Sequence, residues 1–486
     1  MVKKSIWSIS ASAGKRDPLS GNISTDTVII GGGMAGVLTA HFLEQAGVEC
    51  VILEENRIGS GQTKNTTAKV TAQHGLIYDR LLQSVGKEKA RQYAAANQEA
   101  IHRYRILAEK YQMDCQWGDC PAYLYTSVDS KRLRQEYEAA KRLGIPGELT
   151  EKTELPFPVK LALKFENQGR FHPLKFLYSI AGDLKIYENT KVKHVEGHTV
   201  TSDLGQVTAK NIVFACHYPF QNVPGYYFMR MHQERSYVVS VKQTCSFNGM
   251  YYGIDEDALS FRSAGEEILI GGGGHRTGKK TAGNSYDYLA HMAEKYWPGC
   301  KETARWSAQD CMTLDNIPYI GLFSRSCPDW YVATGFGKWG MTSSMVSAMI
   351  LTDLILKREC PYADVFSPQR YNIQASAANF IKDSGHAAAG LLKRAAGIPK
   401  EKLEEIRPGE GAVIEHDGQK YGVYKSETGK KYAVSVKCPH LGCQLEWNAQ
   451  EKSWDCPCHG SRFDYQGRKL DEPAQEDTEC YIWEED

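Results

Sequence analysis

The sequence lacks any apolar run approaching the roughly 18 residues that a membrane-crossing helix requires, so no membrane partner is expected. Its first residues, Met1-Val2-Lys3-Lys4-Ser5-Ile6-Trp7-Ser8, carry two lysines with no apolar stretch behind them, which argues against a secretory signal. Neither charge is in excess: Lys plus Arg and Asp plus Glu each number 58. That balance argues against nucleic acid or an anionic surface as partner. The chain has no internal repeat, no His-rich motif for a mononuclear iron, and a single glycine fingerprint for a dinucleotide. Of its 14 cysteines, nine are scattered between Cys50 and Cys360, with only Cys115 and Cys120 near one another. Scattered thiols without an export signal are expected to stay reduced, which points to the cytoplasm.

What is present divides into several regions. At 486 residues, and about 150 residues per domain, the chain has room for two to four domains. Residues 1–25 are polar and read as an arm. A short buried strand at 27–30 runs into Gly31-Gly32-Gly33, a helix is expected over 37–46, and a second strand over 49–54. Residues 78–112 read as long helices, and 120–330 as short strands alternating with turns. A strand, a glycine loop and a helix return over 331–357. A stretch rich in Ala, Asn, Lys and Ser follows and reads as a linker over 371–404. From residue 405 short strands and turns such as Asp417-Gly418 and Thr428-Gly429 mark a separate β domain.

Gly31-x-Gly33-x-x-Gly36 sits between a strand and a helix, and Glu54 closes the next strand. Glycines there let the backbone turn and approach a pyrophosphate, the helix N-terminus offers free N–H groups, and the acid accepts from a ribose. Met34 and Ala35 open that helix. Arg57-Ile58-Gly59-Ser60-Gly61-Gln62-Thr63 comes next, and Gly335-Phe336-Gly337-Lys338-Trp339-Gly340-Met341-Thr342 comes late in the chain. In these motifs and their order, residues 24–370 resemble the FAD-dependent amine and amino-acid oxidoreductases of the D-amino-acid oxidase and sarcosine oxidase superfamily. The resemblance implies that FAD is bound by Gly31, Gly33, Met34, Ala35, Gly36 and Glu54. Gly59, Gly61, Gln62 and Thr63 would run along the phosphates and flavin. Gly335, Phe336, Gly340, Met341 and Thr342 would meet the flavin's far edge. It implies an α/β Rossmann-like FAD domain from segments 26–75, 191–219 and 325–370. An antiparallel-sheet substrate domain, from 76–190 and 220–324, would be interleaved with it.

Near the C-terminus, Cys438-Pro439-His440-Leu441-Gly442-Cys443 precedes Cys456-Pro457-Cys458-His459-Gly460-Ser461, with fifteen residues between His440 and Cys456. Two Cys and two His could bind zinc, or the thiols could be free. Zinc would leave the Gly and Ser of the loops unexplained. The pattern closely resembles the all-β Rieske family. By that resemblance Cys438, His440, Cys456 and His459 hold a [2Fe–2S] cluster, and Cys443 and Cys458 form a disulfide between its loops. Neutral imidazoles in place of thiolates raise the reduction potential. Ser461 matches a position that donates to a cluster sulfur. Phe463 stands where high-potential members carry a tyrosine donor, which predicts a value below the top of the roughly −150 to +300 mV range.

Together these features predict a dehydrogenase that oxidises the C–N bond of a small amine or amino acid and passes single electrons through the cluster to an outside one-electron acceptor. The candidate catalytic residues are Lys338, His275 after Gly271-Gly272-Gly273-Gly274, and Tyr251, which with Tyr252 could cage a cationic amine. Trp339 belongs to the late glycine loop, and His172 is expected to be structural. Sarcosine-oxidase-like relatives carry a carboxylate-binding lysine where Thr342 stands, which leaves a small α-amino acid less favoured as substrate. Cys311 lies in the region where some relatives carry a flavin-linked cysteine, and is expected to be an ordinary buried thiol. A reductase running in reverse and a redox sensor are the rival readings.

Overall fold

The computed structural model describes residues 3–242, 246–279, 283–370 and 403–483. The expected linker therefore lies, apart from its last two residues, outside the described residues. Three bodies of structure follow from three hydrophobic patterns.

The first is a parallel sheet. Strand Ile23–Ile30 is buried continuously at its end (Val28, Ile29, Ile30), as a central parallel strand covered on both faces must be. It pairs in parallel with Cys50–Leu53 on one side and Gly205–Phe214 on the other. Ile186–Tyr187 extends one edge, and Cys327–Thr334 with Tyr319–Ser324 extends the other. Helices Met34–Gln45 and Gly340–Ile355 pack together on one face. The segment boundaries expected from sequence shift accordingly. Ile186–Tyr187 and Tyr319–Ser324 belong to this sheet, because only pairing reveals the membership of strands so short. Lys69–Val70, expected in the nucleotide segment, instead pairs with Leu161–Arg170 of the second sheet.

That second sheet has nine strands and is almost wholly antiparallel. Its long members, Met231–Lys242, Glu267–Arg276 and Lys301–Thr313, lie side by side. Helices Tyr78–Ser84 and Gly86–Lys110 fill the expected helical region. The N-terminal arm is tied down. Helix Ile6–Ser10 buries Trp7, whose indole N–H donates to Thr66 O at 2.7 Å, and Arg16 donates to the carbonyls of Ala181 and Leu184.

The third body is all β. One four-stranded sheet joins Gly411–His416, Gln419–Lys425, Lys431–Ser435 and Cys480–Trp483. Asp417 and Gly418, at φ +49° and +73°, form the tight hairpin turn that the pair predicts. A second sheet joins Glu446–Asn448, Ser453–Asp455, Arg462–Asp464 and Lys469–Asp471. Trp454 and Phe463, both at 0% exposure, fill its core with the loops that carry the cysteines. No helix among the described residues is long and apolar enough to cross a membrane.

Candidate functional site

At the end of strand Ile23–Ile30 the chain makes a turn that only glycine permits. Gly31 adopts φ +114°, and a Cβ there would stand 2.6 Å from Ala215 O. A Cβ on Gly36 would collide with Gly31 O, so helix and turn meet backbone to backbone. Gly33 caps helix Met34–Gln45 without a side-chain bond, and the Met34 N–H donates to Thr63 Oγ1 at 3.1 Å. Glu54 closes the adjacent strand. Its carboxylate accepts from Gly32 N–H at 2.7 Å and from Asn56 N–H at 2.9 Å. Burial pushes its pKa up against the pull of those two bonds.

These residues open onto one cavity of about 750 Å³. Gly31, Gly33, Met34, Ala35, Glu54, Gly59, Gly61, Gln62 and Thr63 line one end, and Phe336, Lys338, Trp339, Gly340 and Met341 the other. Gly36, Gly335 and Thr342 lie behind the lining. Gly36 and Gly335 are held by close packing, and the Thr342 hydroxyl donates to Thr71 O at 2.9 Å. Gln62 lines the cavity, but its amide is committed: it donates to Asp471 at 2.9 Å and accepts from Gln309 N–H at 2.9 Å. A cavity with a glycine-capped helix N-terminus in its lining and a buried acid beside it fits a dinucleotide.

The second site is made by two loops of the C-terminal domain. Cys438 and Cys456 are both free thiols and both buried. The rings of His440 and His459 stand edge to face, 4.9 Å apart. Both Nδ1 atoms are buried without a hydrogen-bond partner. Leaving such a nitrogen unpaired is costly unless something binds it. His440 Nε2 donates to Asn222 Oδ1 at 3.1 Å, which leaves Nδ1 as its free lone pair. The sulfurs of Cys443, Cys456 and Cys458 lie within 4.8 Å of one another, but the Cys443–Cys458 disulfide consumes two of them. Two thiols and two imidazole nitrogens remain, the donor set of a histidine-ligated [2Fe–2S] cluster. Ser461 is fully buried beside these groups, its hydroxyl oxygen accepting from Ala474 N–H at 3.0 Å, and Phe463 brings no donor.

Comparison with known proteins agrees with both halves. Residues 26–354 match the family described as FAD dependent oxidoreductase, and residues 398–482 match the Rieske [2Fe-2S] domain. The chain belongs to the FAD-dependent oxidoreductase family and ends in a Rieske domain. It is 37% identical to YhfW of Bacillus subtilis (strain 168), whose name describes a Rieske 2Fe-2S iron-sulfur protein, over 96% of this chain and 95% of that one. It is 24% identical to the gamma-glutamylputrescine oxidoreductase of Escherichia coli (strain K12), over 70% of this chain and 85% of the relative. Among solved structures, glycine oxidase from Geobacillus kaustophilus aligns with a TM-score of 0.59 at 19% identity, over 72% of this chain and 99% of that one. L-Proline dehydrogenase from P. horikoshii aligns at 0.61 and 18%, over 72% and 98%; these two show the shared fold. FAD and a [2Fe–2S] cluster are the cofactors of the two families.

In this FAD-dependent oxidoreductase the cavity's far wall carries charge that the sequence does not announce. Lys338 Nζ pairs with Glu234 at 3.2 Å and rests over Gly274, where a Cβ would come within 3.1 Å of it. Burial lowers the lysine's pKa, but Tyr252, Glu234 and Asp310 outweigh it and raise the pKa overall. Burial pushes the Asp310 carboxyl up, and Ser236 donates to it at 2.6 Å. Lys69 lines the opposite side, donating to Thr67 Oγ1 at 3.2 Å and Ser260 Oγ at 3.4 Å. Burial and the neighbouring Arg262 push its pKa down to about 7. Trp339 stacks on His74 at 4.9 Å, and burial keeps that imidazole neutral, with a pKa of about 3.

Two expected catalytic residues lie outside the lining. The Tyr251 hydroxyl bonds to Glu154 at 3.0 Å and its ring stacks on Tyr123, so its neighbour Tyr252 forms the wall. His275 is bonded to Tyr237 OH at 3.0 Å and to Arg276 O at 2.9 Å. Strand alternation explains Tyr251, since adjacent side chains point to opposite faces. The Cys311 thiol faces Met231 Sδ at 3.6 Å, and burial pushes its pKa up to about 12. His172 caps helix Pro173–Ile180, accepting from Lys175 N–H.

Proposed function

We propose that this chain is a dehydrogenase that oxidises the C–N bond of an amine or amino acid and delivers the electrons singly to an external acceptor. FAD, when bound, takes two electrons from a C–H bond, and the cluster carries one at a time. The observation that carries the reading is Gln309. It lines the dinucleotide cavity, and its amide donates to Gly460 O, beside the ligand His459, at 2.6 Å. Gln309 thus joins the cavity wall to the loop that would hold the cluster, a short route along which charge can move. Tyr252 and Trp339 form an aromatic wall suited to a cationic amine. Asp310 adds a carboxyl group to the lining beside Lys338, which Glu234 holds from behind, and can orient the substrate nitrogen. The names of the relatives, a gamma-glutamylputrescine oxidoreductase and structural neighbours acting on glycine and L-proline, favour C–N chemistry. Free cysteines such as Cys50, Cys115 and Cys120 suit the cytoplasm.

The test is an anaerobic screen of amines and amino acids with the holoprotein. Bleaching of the flavin absorbance by an amine, followed by the reduced-cluster signal, is the expected result. Bleaching by NADH alone, with no response to any amine or amino acid, would overturn the reading and favour a reductase.

A further inference from the structure

The loop at 456–461 carries two cluster ligands, and its backbone is received by the flavoprotein body residue by residue. Arg276 donates through Nε to Pro457 O and through Nη2 to Cys458 O, both at 3.3 Å. Gln233 Nε2 donates to His459 O at 2.9 Å, and Gln309 Nε2 donates to Gly460 O at 2.6 Å. Four successive carbonyls thus find donors in the other half of the molecule. Gln233 also donates to Glu472 O at 2.7 Å.

The backbones are shaped to meet. Gly278 adopts φ +75°, and a Cβ on it would lie 2.5 Å from Pro457 N. Gly460 adopts φ +91°, and a Cβ there would lie 2.6 Å from the Cβ of Gln233. A glycine on each side of the seam is what lets it close. Beside the seam, Arg235 of the body and Arg462 of the Rieske domain share two carboxylates. Arg235 reaches Glu451 at 3.1 Å and Asp471 at 3.9 Å, and Arg462 reaches them at 3.6 and 2.8 Å. Arg235 is 1% exposed. Separating the domains would break the bonds of Gln233, Arg235, Arg276 and Gln309 together and leave Glu451 and Asp471 paired with Arg462 alone.

We propose that the second cluster loop is seated permanently on the body: the Rieske domain stays docked through turnover, and charge crosses at this seam without the domain swinging. Gln309 and Gln233 are positioning residues for that crossing. The proposal rests on the relay proposed above. Oxidation of one C–N bond releases two electrons; each crossing reduces one ferric ion to ferrous, and the external one-electron acceptor reoxidises it before the next.

The test uses the holoprotein and no amine. Illumination with EDTA as sacrificial donor reduces the bound flavin, and the cluster is followed by its absorbance and electron paramagnetic resonance. A docked domain gives a cluster-reduction rate that is unchanged when sucrose raises the viscosity. Gln233→Leu strips donors from two carbonyls, so the loop is no longer held in the position from which charge crosses. Cluster reduction then slows by on the order of tenfold or more as that placement loosens and becomes viscosity-dependent, while flavin photoreduction and iron content stay as in the native protein. Amide exchange at 274–279 and 458–460 accelerates in the variant. A native rate that falls in proportion to viscosity overturns the proposal, whatever the variant does. So does a Gln233→Leu protein indistinguishable from native in rate and exchange. Native protein in which light-reduced flavin never reduces the cluster overturns the relay itself, a different failure.

Discussion

Glu451 offers a sharp test of the interdomain charge cluster. Burial would raise its pKa, but Arg235 and Arg462 outweigh burial and bring it from an ordinary 4.5 to about 2. The group's folded pKa is depressed, so its contribution to stability is fully present above 4.5 and is lost as pH falls from there toward 2. A displacement of that size corresponds to about 3 kcal/mol. Glu451→Gln keeps the shape and removes the charge, and it leaves Arg235 facing the more distant Asp471. At neutral pH the variant should lose about that amount, within the range for breaking a buried pair. With a urea slope of about 1–3 kcal/mol per molar, the first unfolding midpoint should fall by roughly 1–3 M. Urea titration followed by tryptophan fluorescence and visible cluster absorbance measures it, since Trp447 and Trp454 lie in the Rieske core. By about pH 3 the gap between native and variant should shrink to less than half, because Glu451 in the unfolded chain is then almost fully protonated and folding must release that proton. A variant as stable as native at pH 7, or a gap that does not narrow with acid, would refute the assignment.

Phe463→Tyr places a hydroxyl where the native domain has none; one new hydrogen bond of about 1 kcal/mol should raise the cluster potential by roughly 40 mV, read by redox titration. An unchanged or lower potential would show that position 463 does not face the cluster. Acid precipitation of the native protein should leave all flavin in the soluble fraction, because the Cys311 thiol faces Met231 and is held protonated; flavin in the pellet, absent from Cys311→Ser, would contradict this. Lys69, with a pKa of about 7, adds a positive charge to the cavity below that pH. Flavin reduction by a cationic amine should therefore quicken as pH rises through about 7, and Lys69→Met should flatten that step; a step that survives the substitution belongs to another group.

How much of this was legible in the sequence differs between the two sites. The proposed cluster ligands are separated by one and two residues within each loop, so a linear pattern suffices to nominate them. The same holds for Gly31, Gly33 and Gly36, whose spacing reflects one turn and the helix behind it. Tyr251 and His275 were harder, since flanking sequence does not say which way a strand residue faces. Tyr252, one position on, forms the wall. Segment membership was equally hidden for Ile186–Tyr187, a two-residue strand known only by its partner.

The sequence alone determined the two cofactor-binding patterns, because each depends on backbone geometry and ligand spacing within a short stretch. Tertiary structure decided how the halves meet. Gln233, Arg235, Arg276 and Gln309 lie on three strands brought side by side by pairing, and they find Glu451 and Pro457–Gly460 from beyond the linker. No local spacing encodes such a seam: its residues have common polar side chains, and only sheet registration and domain packing place them opposite the cluster loop.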